Sequence, residues 1–385
     1  MQGIRIVVVG VGGGGCKVVD RVSEFAGEGV AIAAVNTDAR GLADCRAPTK
    51  LQIGRGRTEG LGTGGEVALG RLAAEDDREA IRAALAGANL VWVVVCLGGG
   101  TGTGATPVVL DAARAAGAMT LCLATLPFQF EGPQRRSQAD RTVLALREAC
   151  NALIVVPNDR LFESVGETGL AETFARADDV LSTGIAGLCR LLIQAGHINL
   201  DFADFQKAVQ NGKGICTLSF GEGRGENRAD QALAALLQGP LTEKGEVLAN
   251  AGSLLVSIVG GPDLTVKQIR QIMNAIEAKA PKPCYVTMGT VVDDGWQGKL
   301  TVTVVASEAS VPPPETDPAR DGAAEDAMGK DPIPSRGRRK SGAAAQTKLK
   351  LDTGRGRFKD VEPTMQDGED LDIPTFIRRR IPVER

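Results

Sequence analysis

The chain has 385 residues, 43% of them hydrophobic and 24% charged, which is enough apolar material for two or three ordinary folded cores. A formal net charge of −3 and only 3% aromatic residues exclude a nucleic-acid binder that works through a basic face and stacked rings. A single histidine, His197, excludes a multi-His metal site, and the eight scattered cysteines, none closer than Cys96 and Cys122, contain no CxxC pair.

In chain order, Ile4–Val9 is a β-branched apolar run ending at Gly10, the pattern of a strand buried on both faces. A helix is predicted from Gly14 to Phe25, then a strand over Val30–Val35 that ends at Asn36-Thr37-Asp38. Ile53 to Gly65 reads as a loop and Glu66–Ala86 as helix. Leu90–Leu97 is a strong strand, followed by Gly98-Gly99-Gly100-Thr101-Gly102-Thr103-Gly104 and a helix through Ala116. Met119–Leu126, a helix around Ser137–Cys150 and a strand at Ala152–Val156 continue the alternation, which predicts a parallel, doubly wound α/β sheet with helices on both faces. A long apolar helix is expected over Asp178–Ala195, buried between two halves. A second, smaller α+β domain follows, with strands near Gly214–Ser219, Ser253–Gly260, Cys284–Val292 and Leu300–Ala306, and helices near Glu226–Leu237 and Val266–Lys279.

The expected division is a first domain at 1–195, a second domain at 196–306, a disordered linker at 307–369 and a short partner-docking peptide at 370–385. The linker is rich in Pro, Ala, Gly and blocked charge, too poor in large apolar residues to bury a core. No apolar run is long enough to span a membrane, no signal peptide is expected, and isolated cysteines read as small buried hydrophobes of a reducing cytoplasm.

Two glycine clusters carry the chemistry. Gly10-Val11-Gly12-Gly13-Gly14-Gly15 satisfies GxGxxG between a strand and a helix, so a nicotinamide-dependent oxidoreductase must be weighed. That reading wants an acid at the end of the second strand, where Asn36 stands, with Asp38 two residues on. The second cluster, at the end of another strand, also offers backbone N–H groups and a helix N-terminus to an anion, with the Thr101 and Thr103 hydroxyls beside it. Two phosphate loops on one sheet point to a polyphosphate nucleotide, and no GxxxxGK[ST] is present.

GGGTGTG at Gly98–Gly104, with Gly10–Gly15, Asn36-Thr37-Asp38, Pro127-Phe128-Gln129-Phe130-Glu131-Gly132 and Asn199-Leu200-Asp201-Phe202-Ala203-Asp204 in this order, resembles the tubulin/FtsZ family of GTPases over nearly the full length. The resemblance implies a GTP-hydrolysing, self-assembling protein of the cell-division ring, binding GTP/GDP with Mg²⁺ held through the phosphates rather than by side chains. It implies that Gly13, Gly14, Gly15 and Cys16 line the α/β-phosphates, with Gly100, Thr101, Gly102, Thr103 and Gly104 at the β/γ-phosphates. Glu131 and Arg135 would hold the ribose, Asn36 and Asn158 the nucleoside, Phe174 would stack on the base, and Asp178, at the start of the long helix, would accept from guanine N1–H and N2–H₂. Asn199, Asp201 and Asp204 would reach the γ-phosphate of the next subunit in a head-to-tail homopolymer. The bland reading of the two acids is helix capping. Leu371–Arg380 looks like the family's docking peptide for membrane tethers and division proteins, with no direct membrane insertion and assembly at mid-cell on the inner membrane face. A homologue that assembles but does not hydrolyse is the alternative.

The chain departs from the family at Lys17, where Asn is usual beside the first loop, and in Gly60–Glu66, which lacks the usual Asn-Pro-Glu. Lys17 would contact phosphate or point to solvent. His197 reads as a packing or interface residue.

Overall fold

The computed structural model describes residues 4–25, 29–163, 169–193, 198, 200–210, 215–239, 241–242, 245–308, 365–366 and 369–370. The chain opens with β1 (Ile6–Val11), α1 (Gly12–Phe25), β2 (Val30–Asn36), α2 (Ala39–Asp44), β3 (Thr49–Gln52), α3 (Arg55–Thr58), α4 (Val67–Asp76) and α5 (Arg78–Leu85). It continues with β4 (Leu90–Cys96), α6 (Gly100–Ala115), β5 (Met119–Leu126), a 3₁₀ turn (Gln129–Glu131), α7 (Pro133–Ala149), β6 (Ala152–Pro157), α8 (Asn158–Glu163) and α9 (Leu170–Ile193). Then come α10 (Phe202–Gln210), β7 (Ile215–Arg224), α11 (Arg228–Gln238), α12 (Glu246–Ala249), β8 (Ala251–Gly260), α13 (Val266–Glu277), β9 (Tyr285–Val292) and β10 (Lys299–Glu308).

These strands form one ten-stranded sheet in the order β3-β2-β1-β4-β5-β6-β7-β10-β8-β9. Successive pairs from β3 to β7 are parallel, as the strand–helix alternation predicts. Alternate residues of β1 and β4 explain why helices cover both faces. Val8, Trp92 and Val94 face a cluster with α1 and α9, while Val9, Val93 and Val95 face one with α5, α6 and α7. In the second half β10 pairs antiparallel with both β7 and β8, and β8 pairs parallel with β9. The alternation therefore does not mean a parallel sheet throughout, but the α+β character expected there holds.

Three local readings are corrected. The helix expected over Glu66–Ala86 is two helices broken at Asp77, whose carboxylate accepts the Gly54 N–H at 2.6 Å. The loop expected from Ile53 to Gly65 contains α3. The long helix starts at Leu170, not Asp178, because Leu170–Ala177 is itself a good helix-forming stretch, so Asp178 sits inside α9 rather than at its start.

Six of the eight cysteines are buried, as expected, whereas Cys96 and Cys284 are half-buried, and all are free. Among the described residues no helix is long and apolar enough to cross a membrane. The segment Pro314–Arg385 is a separate unit, described here only by the short antiparallel pair β11 (Met365–Gln366) and β12 (Glu369–Asp370). The disorder predicted for the rest of 307–369 and the peptide Leu371–Arg380 lie outside the described residues, as do His197 and Asn199.

Candidate functional site

The strand order 3-2-1-4 puts the switch point between β1 and β4, the place where an open α/β sheet leaves a crevice at its carboxyl edge. Both glycine clusters lie there. α1 starts at Gly12 directly after β1, and α6 starts at Gly100 after β4, so two helix N-termini converge. They converge closely, since a Cβ on Gly12 would lie 2.8 Å from the Gly102 nitrogen. Unpaired N–H groups and two dipole ends in one place favour an anion of more than one charge.

The glycines divide by role. A Cβ on Gly104 would lie 2.1 Å from the Val67 carbonyl oxygen, and one on Gly70 2.3 Å from that of Gly100, so these residues let α4 and α6 touch backbone to backbone. Gly14 and Gly15 are pressed against Cys96 and Val94 in the same way. Gly13, by contrast, is exposed and has nothing within 4 Å of a Cβ position. Together with Gly99, which also has nothing within 4 Å of a Cβ position and lines the cavity beside the loops, it is open to a ligand.

Hydroxyls brace the second loop. Thr101 lies 2.6 Å from Thr37 and 3.4 Å from Thr63, oxygen to oxygen, all three buried. The expected NTD segment and the Gly60–Glu66 loop thus meet at Thr101. Thr103 accepts the Gly98 N–H at 2.9 Å and is buried, so its side chain shapes the loop rather than facing the crevice. Asp38 caps α2 by accepting from Arg40 and Gly41.

Next to the loops is a cavity of about 510 Å³ lined by Gly14, Lys17, Glu131, Arg135, Asn158, Phe174 and Asp178, together with Gly99. That brings together seven predicted residues drawn from α1, the 3₁₀ turn, α7, α8 and α9. Glu131 accepts from the Phe128 N–H at 2.9 Å and from Arg135 at 2.7 Å, which fixes the corner where the cavity opens. Phe128 stacks on Phe130 at 4.8 Å and meets Phe174 edge-on at 5.7 Å, forming an aromatic wall. Burial pushes the Asp178 carboxyl up to about 6; Lys17 and Arg21 pull it back and Asp179 adds to the rise.

Other predicted residues stand elsewhere. Cys16 is buried, with its thiol 3.8 Å from the Gly10 carbonyl, so only its backbone N–H is left to face an anion. Asn36 is 2% exposed and does not line the cavity. Asp201 and Asp204 lie at the start of α10, away from the cavity lining. The Asp201 carboxylate accepts the Asp204 N–H at 2.7 Å, the capping contact of the bland reading. Asp204 itself has Lys207 at 4.0 Å. Among the described residues no three His, Cys, Asp or Glu side chains gather to hold a metal.

The sequence reading missed Cys96, Thr125, Phe128 and Phe130 as lining residues. Cys96 is the last residue of β4 and Thr125 the penultimate residue of β5, both at the carboxyl edge, and that position was the available signal. Burial pushes the Cys96 thiol up to about 11 and keeps it neutral.

The family model for the tubulin/FtsZ family GTPase domain matches residues 5–166, and that for the FtsZ family C-terminal domain matches residues 214–310. Cell division protein FtsZ of Pseudomonas aeruginosa is 41% identical over 303 residues, covering 78% of this chain and 76% of its own length. An empty FtsZ dimer from M. jannaschii superposes with a TM-score of 0.74 at 34% identity, covering 79% of this chain and 88% of its own. A GTPγS-bound CetZ2 protofilament from Haloferax volcanii gives a TM-score of 0.67 at 25% identity, over 80% and 94%.

Proposed function

The chain belongs to the tubulin/FtsZ family of filament-forming cell-division GTPases, and we propose that its active site is completed only between adjacent subunits of a head-to-tail filament. GTP binds at the carboxyl edge of the sheet. Gly13, Gly14, Gly15 and the Cys16 N–H take the α/β-phosphates, and Gly100, Thr101 and Gly102, shaped by Thr103 and Gly104, take the β/γ-phosphates. Glu131 and Arg135 hold the ribose, Asn158 supports the nucleoside, Phe174 covers the base and Asp178 accepts its donors.

The observation that carries the reading is the separation of Asp201 and Asp204 from the cavity. Two acids at an exposed helix start have no substrate of their own chain to act on. Placed against the next subunit, they and Asn199 would position the attacking water at its γ-phosphate. Phosphoryl transfer depends chiefly on positioning and charge stabilisation, so a group supplied in trans can switch it on. A repeated contact that does not close on itself yields a filament. Mg²⁺ fits as a phosphate-bound ion, since the side chains beside the loops are the Thr37, Thr63 and Thr101 hydroxyls rather than gathered carboxylates. Bound there, it would neutralise charge on the phosphates.

We assign 1–195 to the nucleotide half and the chain from 196 to the end of β10 at Glu308 to the half that carries the acids, since Ser307, expected in the linker, is a buried residue of β10, with the residues from 309 to 369 as linker and Leu371–Arg380 as the docking peptide for a membrane tether. The separate family-model matches support that division. The site of action is the cytoplasmic face of the division plane.

The test is GTP turnover against protein concentration, with pelleting at each point. Turnover should begin sharply at the concentration where polymer appears. A specific rate that stays flat below that point overturns the shared site, and polymer without turnover favours a homologue that assembles without hydrolysis.

Nucleotide binding should also depend on pH in one direction. The ionised Asp178 carboxylate accepts from guanine, and with its pKa near 6 it is mostly protonated at pH 5. Affinity for GDP should therefore be flat from pH 8 to 7 and about 10-fold weaker at pH 5. Asp178→Asn should flatten the profile, measured by titration calorimetry. The same raised pKa acts oppositely on the empty fold: burying the ionised acid costs stability as pH rises through 4 to 6.

A further inference from the structure

Cys16 stands just past the first turn of α1, and Cys45 follows α2 in the turn that leads to β3. They are 29 residues apart, yet the fold brings their thiols together. The Cys45 sulfur lies 3.8 Å from the Cys16 carbonyl oxygen, and the two thiols share a hydrogen bond. A stripe of α1 builds the contact. Cys16, Asp20 and Glu24 are spaced i, i+4 and i+8, so they share one helix face. Asp20 accepts from the Cys45 S–H at 3.0 Å and from the Arg46 N–H at 2.8 Å, and Glu24 pairs with Arg46 at 2.9 Å. Both cysteines are free and buried. A cavity of about 540 Å³ lined by Asp20, Asp44 and Arg46 opens beside them and gives a small solute a way in.

The two thiols differ in chemistry. The hydrogen bond from Cys16 holds the Cys45 thiol below its ordinary value, while burial and Asp20 oppose the shift. The same hydrogen bond, with burial, pushes the Cys16 thiol up. Burial alone pushes the Cys189 thiol up to about 12, the behaviour of an inert core cysteine. A nucleophilic thiol beside a protonated one is the arrangement of an attacking and a resolving cysteine.

We propose that Cys16 and Cys45 form a reversible, peroxide-driven disulfide that clamps α1 to the turn after α2. The Cys45 S–H passes its proton to the Asp20 carboxylate as its sulfur attacks one oxygen of hydrogen peroxide. The O–O bond breaks, and the departing hydroxide takes the proton from Asp20 and leaves as water. The Cys16 sulfur then attacks the Cys45 sulfenic acid. The S–O bond breaks, and hydroxide leaves with the Cys16 proton as a second water. The two thiols lose two electrons in all, and the peroxide gains them. A dithiol reductant reverses the link by exchange. A redox-sensing pair is the kind of disulfide that a reducing compartment tolerates. The effect on turnover rests on the assignment of the first glycine loop to phosphate, because the clamp pulls on the helix turn that follows that loop.

The full-length chain is treated with hydrogen peroxide, alkylated without reduction, digested and mapped by mass spectrometry, and GTP turnover is followed above the assembly threshold. We expect one linked peptide pair, Cys16 with Cys45, lighter by two hydrogens than the reduced pair and cleared by dithiothreitol. Turnover should fall about 10-fold with the same half-time, as the displacement of positioning groups costs, and return on reduction. Cys45→Ser should form no link and should keep the native rate with and without peroxide. Cys16 and Cys45 that stay unlinked overturn the proposal, whatever the other thiols do. An equal peroxide loss of turnover in Cys45→Ser overturns the clamp as its cause. A native chain that forms the link but hydrolyses no GTP before treatment would instead overturn the nucleotide reading.

Discussion

Asp204→Ala should bind GTP within about 2-fold of the native chain and hydrolyse it about 10²–10³-fold more slowly, the size of loss that follows removal of one group aimed at developing charge. Binding is spared because Asp204 is not in the cavity lining. Folding is spared because its visible contacts are a 4.0 Å approach to Lys207 and a backbone N–H given to Asp201, which alanine also provides. Asp201 is the less clean target. Its carboxylate caps α10, so Asp201→Ala should lose about 1 kcal/mol of stability as well as turnover. Asp201→Asn keeps an acceptor at the cap while removing the charge, so turnover without the stability loss can be read from it. Equal turnover in Asp204→Ala and the native chain, measured as phosphate release above the assembly threshold, would refute the assigned role.

Gly104→Ala carries a large expected effect on the packing beside the second glycine loop. A single methyl group there would lie 2.1 Å from the Val67 carbonyl oxygen and 2.6 Å from the Arg71 nitrogen, so α4 must move away from α6. Backbone cannot rotate aside as a side chain can. The cost should be about 3 kcal/mol, which lowers the melting temperature by roughly 4–6 °C in a unit of this size. Gly13→Ala is the counterpart. Nothing lies within 4 Å of its added carbon, so stability should hold while affinity for GDP falls, because the methyl group projects where a phosphate would lie. Thermal melts and nucleotide titration on the two variants separate glycines needed for packing from glycines needed for binding. Equal stability for both would show that α4 and α6 do not need their close approach.

How far the sequence announces this arrangement depends on whether a feature is local. The strands β1 and β4 are legible because both faces are buried and every residue is apolar. The loops after them are legible because glycine clusters there, and Asp178, Glu131 and Arg135 reach one cavity as the family resemblance implies. What each glycine does was not legible. Gly100, Gly102 and Gly104 are already helical, and the space a Cβ would need at Gly100 and Gly104 is filled by a segment more than thirty residues earlier. The pairing of β10 between β7 and β8 is also non-local, and no periodicity reports it. Asp77 ends a helix because it serves Gly54, which lies in another element. Cys16 sits in the right loop, but the turn of α1 carries its thiol to the core. In each case a distant contact overrode a local pattern.

The hydrophobic cluster around α9 has a consequence for dividing the chain. Val8, Trp92 and Ile154 from the first half share it with Leu218, Leu255 and Val305 from the second. The direct backbone seam between the halves is slight among the described residues, where Leu153↔Ile215 and Ile154↔Cys216 join β6 to β7. The halves are thus held by shared oil more than by a ladder. Cutting the chain between them would break few hydrogen bonds yet leave each fragment with a bare apolar face, a surface that seeks any greasy partner it can find. Such fragments would be sticky in solution and would need each other to become well-behaved proteins.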